Sequence, residues 1–145
     1  MAKSFIFESY HFNRQTGVLS LKYQYDTYQF EEVMTFPNAP FVLTQDRLSA
    51  LEPCLFLLHI AAGVSYYKAF GNPDIEISSG SLSHAQADFF NDFYAYGLAQ
   101  FAVTNNLKLH FAFPFDENKC AEPSSLSLKD DIFVPVGGGK DSCVT

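Results

Sequence analysis

The chain has 145 residues, 48% of them apolar and 17% aromatic, with 16 Phe and 8 Tyr, which suits one domain with a substantial core. A formal charge of -7 with only 9 Lys plus Arg excludes a protein that wraps nucleic acid through its phosphates, so any anion site must be local. Cys54, Cys120 and Cys143 are odd in number and lack C-x-x-C spacing; they argue against a disulfide scaffold or zinc ribbon and point to a reducing compartment, the cytoplasm by default. The N-terminus leads into an alternating segment, and no stretch reads as the ~18 apolar residues of a membrane span. Neither export nor a membrane is expected.

Residues 5–12, 18–25 and 28–36 alternate aromatic and polar residues at about period two, the pattern of strands with one wet face. The connections, Asn13 to Gly17 and Asp26-Thr27, are short enough for an antiparallel meander, which Pro37 and Pro40 close. From Asp46 to Phe70 the spacing turns helical through Leu48, Leu51, Leu55, Leu58 and Ala62, and Pro53 predicts that a helix starts there or that two abut. Residues 55–64 are apolar nearly all round and predict a buried core helix ended by Gly71-Asn72-Pro73.

Ile75-Glu76-Ile77 is a short strand candidate. Ser83 or Ser81 can cap a helix from His84 to about Asn105, with Phe89, Phe90, Phe93, Tyr94 and Phe101 predicted as core. Residues 107–113 alternate again and predict a strand, and 114–131 read as a polar connection. His59 inside the apolar helix reads as a satisfied core histidine, and His84 with Asp88 as a surface pair at i, i+4. His11, His84 and His110 have no spacing that suggests a metal site.

The run Ile132-Phe133-Val134-Pro135-Val136 then opens as a strand into Gly137-Gly138-Gly139-Lys140-Asp141-Ser142. Three glycines let backbone N–H groups approach an anion, Lys140 and Ser142 add charge and a hydroxyl, and a helix starting near Asp141 would aim its dipole there. The plain alternatives are a glycine-rich tail without a ligand and, for Asp141, an ordinary residue of a helix's first turn. The NTPase P-loop pattern fails, because Asp141 follows Gly139-Lys140 and Val134 stands where the first glycine belongs. The dinucleotide fingerprint fails at Ser142.

What remains resembles the Ser-Gly-Gly-x-Asp-Ser loop of the ATP pyrophosphatases, with Gly137 in place of the first serine. The blocks Leu58-His59-Ile60-Ala61-Ala62-Gly63-Val64-Ser65-Tyr66-Tyr67-Lys68-Ala69, Phe93 to Ala102 and Val134 to Ser142 together resemble the amino-terminal part of the UDP-N-acetylmuramoyl-L-alanyl-L-glutamate epimerase family. The resemblance implies inversion of the terminal L-glutamate of a UDP-linked muramoyl dipeptide in peptidoglycan synthesis, through carboxylate adenylation with ATP and Mg2+. It places Gly137, Gly138, Gly139, Lys140, Asp141 and Ser142 at the pyrophosphate. Lys68, which follows Tyr66 and Tyr67 at a helix end, is a candidate contact to a substrate phosphate or carboxylate, the alternative being a helix-end cation favoured by the carbonyl dipole.

Family members are much longer, so the resemblance also implies a nucleotide-binding domain on the carboxyl side and a chain that is inactive alone. No residue reads as the base that removes the α-proton. The alternatives are a fragment of another ATP-pyrophosphatase-type ligase and a non-catalytic interaction domain. The expected fold is α+β, an N-terminal antiparallel meander packed with two or more helices, ending in a strand that leads to the glycine-rich loop. The expected division is 1–131 for this domain and 132–145 for the start of an ATP-pyrophosphatase-like unit. The high aromatic content adds an exposed apolar patch and dimerisation to the expectations.

Overall fold

Residues 4–35 form the three antiparallel strands that their alternation predicts: β1 (Ser4–Asn13), β2 (Val18–Tyr25) and β3 (Tyr28–Thr35). The computed structural model describes residues 3–120; the glycine-rich loop and the 132–145 unit lie outside the described residues. Asn13 builds the first turn, its Oδ1 accepting from the N–H of Gln15 at 2.9 Å and of Thr16 at 3.2 Å. Gly17 completes it at φ 72°, where a Cβ would lie 2.3 Å from the Phe36 carbonyl oxygen.

One irregularity decides which side chains reach the core. Phe7 pairs with Tyr23 and Ser9 with Lys22, so Glu8 is an extra residue in β1. This β-bulge switches the parity of the strand. Phe5 and Phe7 before it and Tyr10 and Phe12 after it therefore all pack on the core side.

A fourth strand, β4 (Asp74–Ile77), runs parallel to β1 with Phe5 opposite Ile75 and Phe7 opposite Ile77. The sheet order is β3-β2-β1-β4, so the expected meander is extended by a parallel strand after a helical crossover. That crossover is α1 (Gln45–Ala62), the single turn α2 (Val64–Tyr67) and a 3-10 turn, Lys68–Phe70, ended by Gly71 at φ 80°. Two further helices follow, α3 (His84–Gly97) and α4 (Ala99–Thr104).

Several expectations are corrected. The first helix does not start at Pro53 but runs through it; the proline ring is exposed, so the carbonyl that loses its N–H partner faces water. The stretch Gln45–Phe70 is long and apolar enough to cross a membrane by length and composition, contrary to the reading of no such stretch. Its inner face, Leu55, Phe56, His59 and Ile60, is buried and bonded to the sheet, as a core helix requires. The second helix is capped by Ser83, as predicted, in a reciprocal capping box with Gln86. It does not run to Asn105, because Leu98, at φ -100° and ψ 2°, separates α3 from α4.

Residues 107–113 do not form a strand. Their alternation is real, with Leu109, Phe111 and Phe113 turned to the core, yet two side-chain amides stand in for a ladder. Asn72 Oδ1 accepts from the His110 N–H and Asn91 Oδ1 from the Phe113 N–H, each at 3.0 Å. The aromatic face of the second helix is also split. Phe90 and Tyr94 are buried, whereas Phe89 is 60% and Phe93 41% exposed.

Candidate functional site

The most elaborate polar arrangement among the described residues surrounds the end of α1, within the block that carries the family resemblance. Gly63 lets the helix end touch the sheet: a Cβ there would lie 2.4 Å from a ring carbon of Phe7 and 3.0 Å from one of Tyr23. No larger residue fits so close an approach. The last carbonyls of α1 are then buried and need donors. Tyr23 of β2 donates its hydroxyl to the His59 carbonyl at 3.0 Å, and Tyr94 of α3 donates to the Ile60 carbonyl at 2.7 Å. Tyr67 donates to the Pro73 carbonyl at 3.0 Å, fixing the chain that enters β4.

His59 is fully buried, its ring 4.8 Å from Tyr23 and 5.7 Å from Phe7. Its Nε2 lies 3.0 Å from the Lys22 carbonyl and its Nδ1 3.2 Å from Ser79 Oγ. A carbonyl only accepts, so Nε2 carries the proton and Nδ1 accepts from the Ser79 hydroxyl. Burial lowers the His59 pKa, opposed in part by the bond to Lys22. Both nitrogens are spent inside the protein, so this is the satisfied core histidine of the sequence reading and not a base facing a substrate.

The tyrosines tell the same story. Burial raises the Tyr23 and Tyr94 hydroxyls well above the phenol range and pushes Tyr67 up to about 12. Each is a neutral donor, suited to holding carbonyls and unsuited to proton transfer near neutrality. Tyr66 donates to Glu32 at 2.7 Å, and that bond raises its pKa. Glu32 is the carboxylate that sequence reasoning passed over. Its position between Phe30 and Met34 on the inner side of β3 is the signal that could have found it, because strict alternation puts an acid on the apolar face.

Lys68 sits exposed in the 3-10 turn, next to the Tyr66–Glu32 pair in sequence, and its side chain makes no hydrogen bond or ion pair with another described residue. The turn is anchored by Phe70, whose ring stacks on Tyr25 at 4.1 Å between centroids. The other candidates, Gly137, Gly138, Gly139, Lys140, Asp141 and Ser142, lie outside the described residues. His84 and Asp88 form the expected exposed pair, 3.2 Å from Nδ1 to Oδ2. Among the described residues no group of three or more His, Cys, Asp or Glu side chains could hold a metal ion.

Two grooves flank α1. A polar one of about 360 Å³ is lined by Phe12, Arg14, Ser49 and Glu52 among others. An apolar one of about 440 Å³ lies between α1 and α3. Together these features define an α+β domain with an aromatic core and a polar network in which buried tyrosine hydroxyls hold backbone carbonyls.

The chain matches the MurL N-terminal domain over residues 1–145 and belongs to that family. It is 40% identical over 134 residues to the UDP-N-acetyl-alpha-D-muramoyl-L-alanyl-L-glutamate epimerase of Xanthomonas oryzae pv. oryzae, covering 90% of this chain and 30% of that relative. It is 31% identical over 149 residues to the same-named protein of a Micromonospora species and 31% over 150 residues to that of Salinispora tropica. These cover 98% of this chain in both cases and 33% and 32% of the relatives. The chain thus spans about a third of the length of the curated relatives it matches. No solved structure gives a significant match.

Proposed function

We propose that this chain acts as the amino-terminal domain of an ATP- and Mg2+-dependent epimerase that inverts the terminal L-glutamate of UDP-N-acetylmuramoyl-L-alanyl-L-glutamate in peptidoglycan precursor synthesis. The observation that carries the reading is the full-length match to the MurL N-terminal domain, supported by three relatives that bear the epimerase name. The chemistry gives the domain a supporting role. The α-proton beside a free carboxylate is too weakly acidic to remove directly, and ATP supplies activation of that carboxylate as an acyl adenylate. His59 and the buried tyrosines are spent on internal bonds, so within this reading proton abstraction falls to other residues. Within this reading Gly137, Gly138, Gly139, Lys140, Asp141 and Ser142 hold the pyrophosphate, and Lys68 is the exposed cation available to a substrate carboxylate or phosphate. The cytoplasm, where such precursors are made, is its proposed location.

The test is glutamate chirality and pyrophosphate release after incubating the muramoyl dipeptide substrate with ATP and Mg2+. The 145-residue chain alone is expected to be inactive. The chain carried in place of the matched third of the Xanthomonas oryzae relative should epimerise, and Lys68→Ala should raise KM for the dipeptide. Pyrophosphate release without inversion would move the assignment to another ATP-pyrophosphatase-type ligase.

A further inference from the structure

We infer that the apolar groove between α1 and α3 is the docking surface for the remaining two thirds of the longer MurL-type polypeptide, which fills it with an apolar segment. The inference rests on the reading of this chain as one domain of such a protein. Leu57, Leu58 and Ala61 form one wall of the groove, and Ala85, Phe89 and Phe93, spaced at i, i+4 along α3, form the other. Phe89 and Phe93 stack at 6.0 Å between centroids while remaining 60% and 41% exposed. The wall is therefore preformed and unpartnered among the described residues. A surface of this kind marks an interaction site.

Its chemistry selects the occupant. The two polar residues in the lining, Ser83 and Gln86, are spent on each other: the Ser83 N–H donates to Gln86 Oε1 at 2.9 Å, and Ser83 Oγ accepts from the Gln86 N–H at 3.3 Å. No Lys or Arg among the described residues lines the groove, so its described walls offer nothing to a diphosphate or a carboxylate. An anionic, UDP-linked substrate belongs elsewhere, and apolar side chains belong here.

The route of the chain identifies whose side chains they are. Phe115 bridges to Leu82, the Asp116 N–H donates to the Leu82 carbonyl at 2.9 Å, and the Lys119 ammonium donates to the Ser81 carbonyl. These contacts hold residues 115–119 against Ser81 and Leu82, which directly precede Ser83, the first α3-side residue of the groove lining. Relatives that carry this domain continue for about twice its length again, since it covers 30% to 33% of them. Polypeptide beyond the described residues is covalently tethered to this domain, so its effective concentration at the groove is high.

Thiol labelling tests the inference. In a background carrying Cys54→Ser, Cys120→Ser and Cys143→Ser, maleimide should modify Phe89→Cys and the control Val33→Cys, on the outer face of β3, at similar rates in the 145-residue chain. With the chain in place of the matched third of the Xanthomonas oryzae relative, labelling at Phe89→Cys should slow at least about tenfold, as burial in an interface core demands, and the control should not change. Equal rates in the longer protein would overturn the inference. So would slowing at Phe89→Cys relative to Val33→Cys in the lone chain: if it grows with concentration a second copy is the occupant, and if it does not, the chain's own residues 121–145 are. Carbene footprinting of the unaltered relative, full length against its matched third, needs no substitution or splice and must show the same protection on the α1 and α3 faces. Neither readout involves epimerisation, so failure here and failure of the activity assay are separate results.

Discussion

Phe7 and Phe89 are the same residue type in two regions that treat it oppositely. At the seam between sheet and α1, Phe7 is fully buried, with Gly63 pressed on its ring and Tyr23, His59 and Phe113 around it. On the outer flank of α3, Phe89 is mostly exposed and touches chiefly its own helix, against Phe90 and Phe93. The difference shows that aromatic content alone does not measure the core. Among the described residues no buried side-chain polar atom lacks a partner, and at the seam two helix carbonyls are held by tyrosine hydroxyls. The flank has paired the polar liners among its described residues, Ser83 and Gln86, and left carbon facing outward, which suits a surface that a further body covers.

Substitutions can break this contrast. Phe7→Ala should be the most damaging, costing about 3–5 kcal/mol for a fully buried ring; a small change in the urea midpoint would mean that the seam collapses to fill the space. Gly63→Ala drives a methyl into the Phe7 ring and should cost about 1–3 kcal/mol by overpacking. Partial recovery in the double variant with Phe7→Leu would localise that strain. Tyr94→Phe leaves the Ile60 carbonyl without its hydroxyl donor in the core and should cost about 1–3 kcal/mol. Thermal denaturation indistinguishable from the parent chain would refute the capping role.

The His59 effect is set by pH. Its folded pKa lies below the ordinary 6.5, so the unfolded chain binds the extra proton first as pH falls, and stability drops from about 6.5 down to the folded pKa. His59→Gln should flatten that slope, and an NMR titration of His59 centred at or above 6.5 would contradict it. Smallest of all, Phe89→Ser in the 145-residue chain should shift stability by no more than about 0.5 kcal/mol. A large loss there would make the flank part of the core and erase the contrast.

Much of the seam was legible. Three strands, both turns, the buried helix, the Gly71 stop, the Ser83 cap and the structural role of His59 follow from alternation, glycine placement and capping chemistry. The bulge at Glu8 is visible in retrospect, because Phe5 and Phe7 are odd and Tyr10 and Phe12 even, yet all four are aromatic. The failures share a cause. Pro53 is tolerated because its face is solvent, residues 107–113 are held by the amides of Asn72 and Asn91, and Phe89 looks outward because of where α3 sits on α1. Each depends on a partner distant in sequence, which local periodicity does not carry. The candidate phosphate loop was legible only as a motif, and it falls outside residues 3–120.

The tyrosine hydroxyls that hold the buried carbonyls also make the domain a sensor of alkali. Tyr23, Tyr67 and Tyr94 each keep their proton in the folded state to a pH above the phenol value of 10.0, whereas the unfolded chain gives up all three near that value. Stability is therefore intact below about pH 10 and falls above it, with a slope approaching three protons until Tyr67 begins to ionise near 12. These three rings lock together and should let go together, so in an alkaline titration followed by tyrosinate absorbance they should ionise in one abrupt step, distinct from the signal of the chain's other five tyrosines.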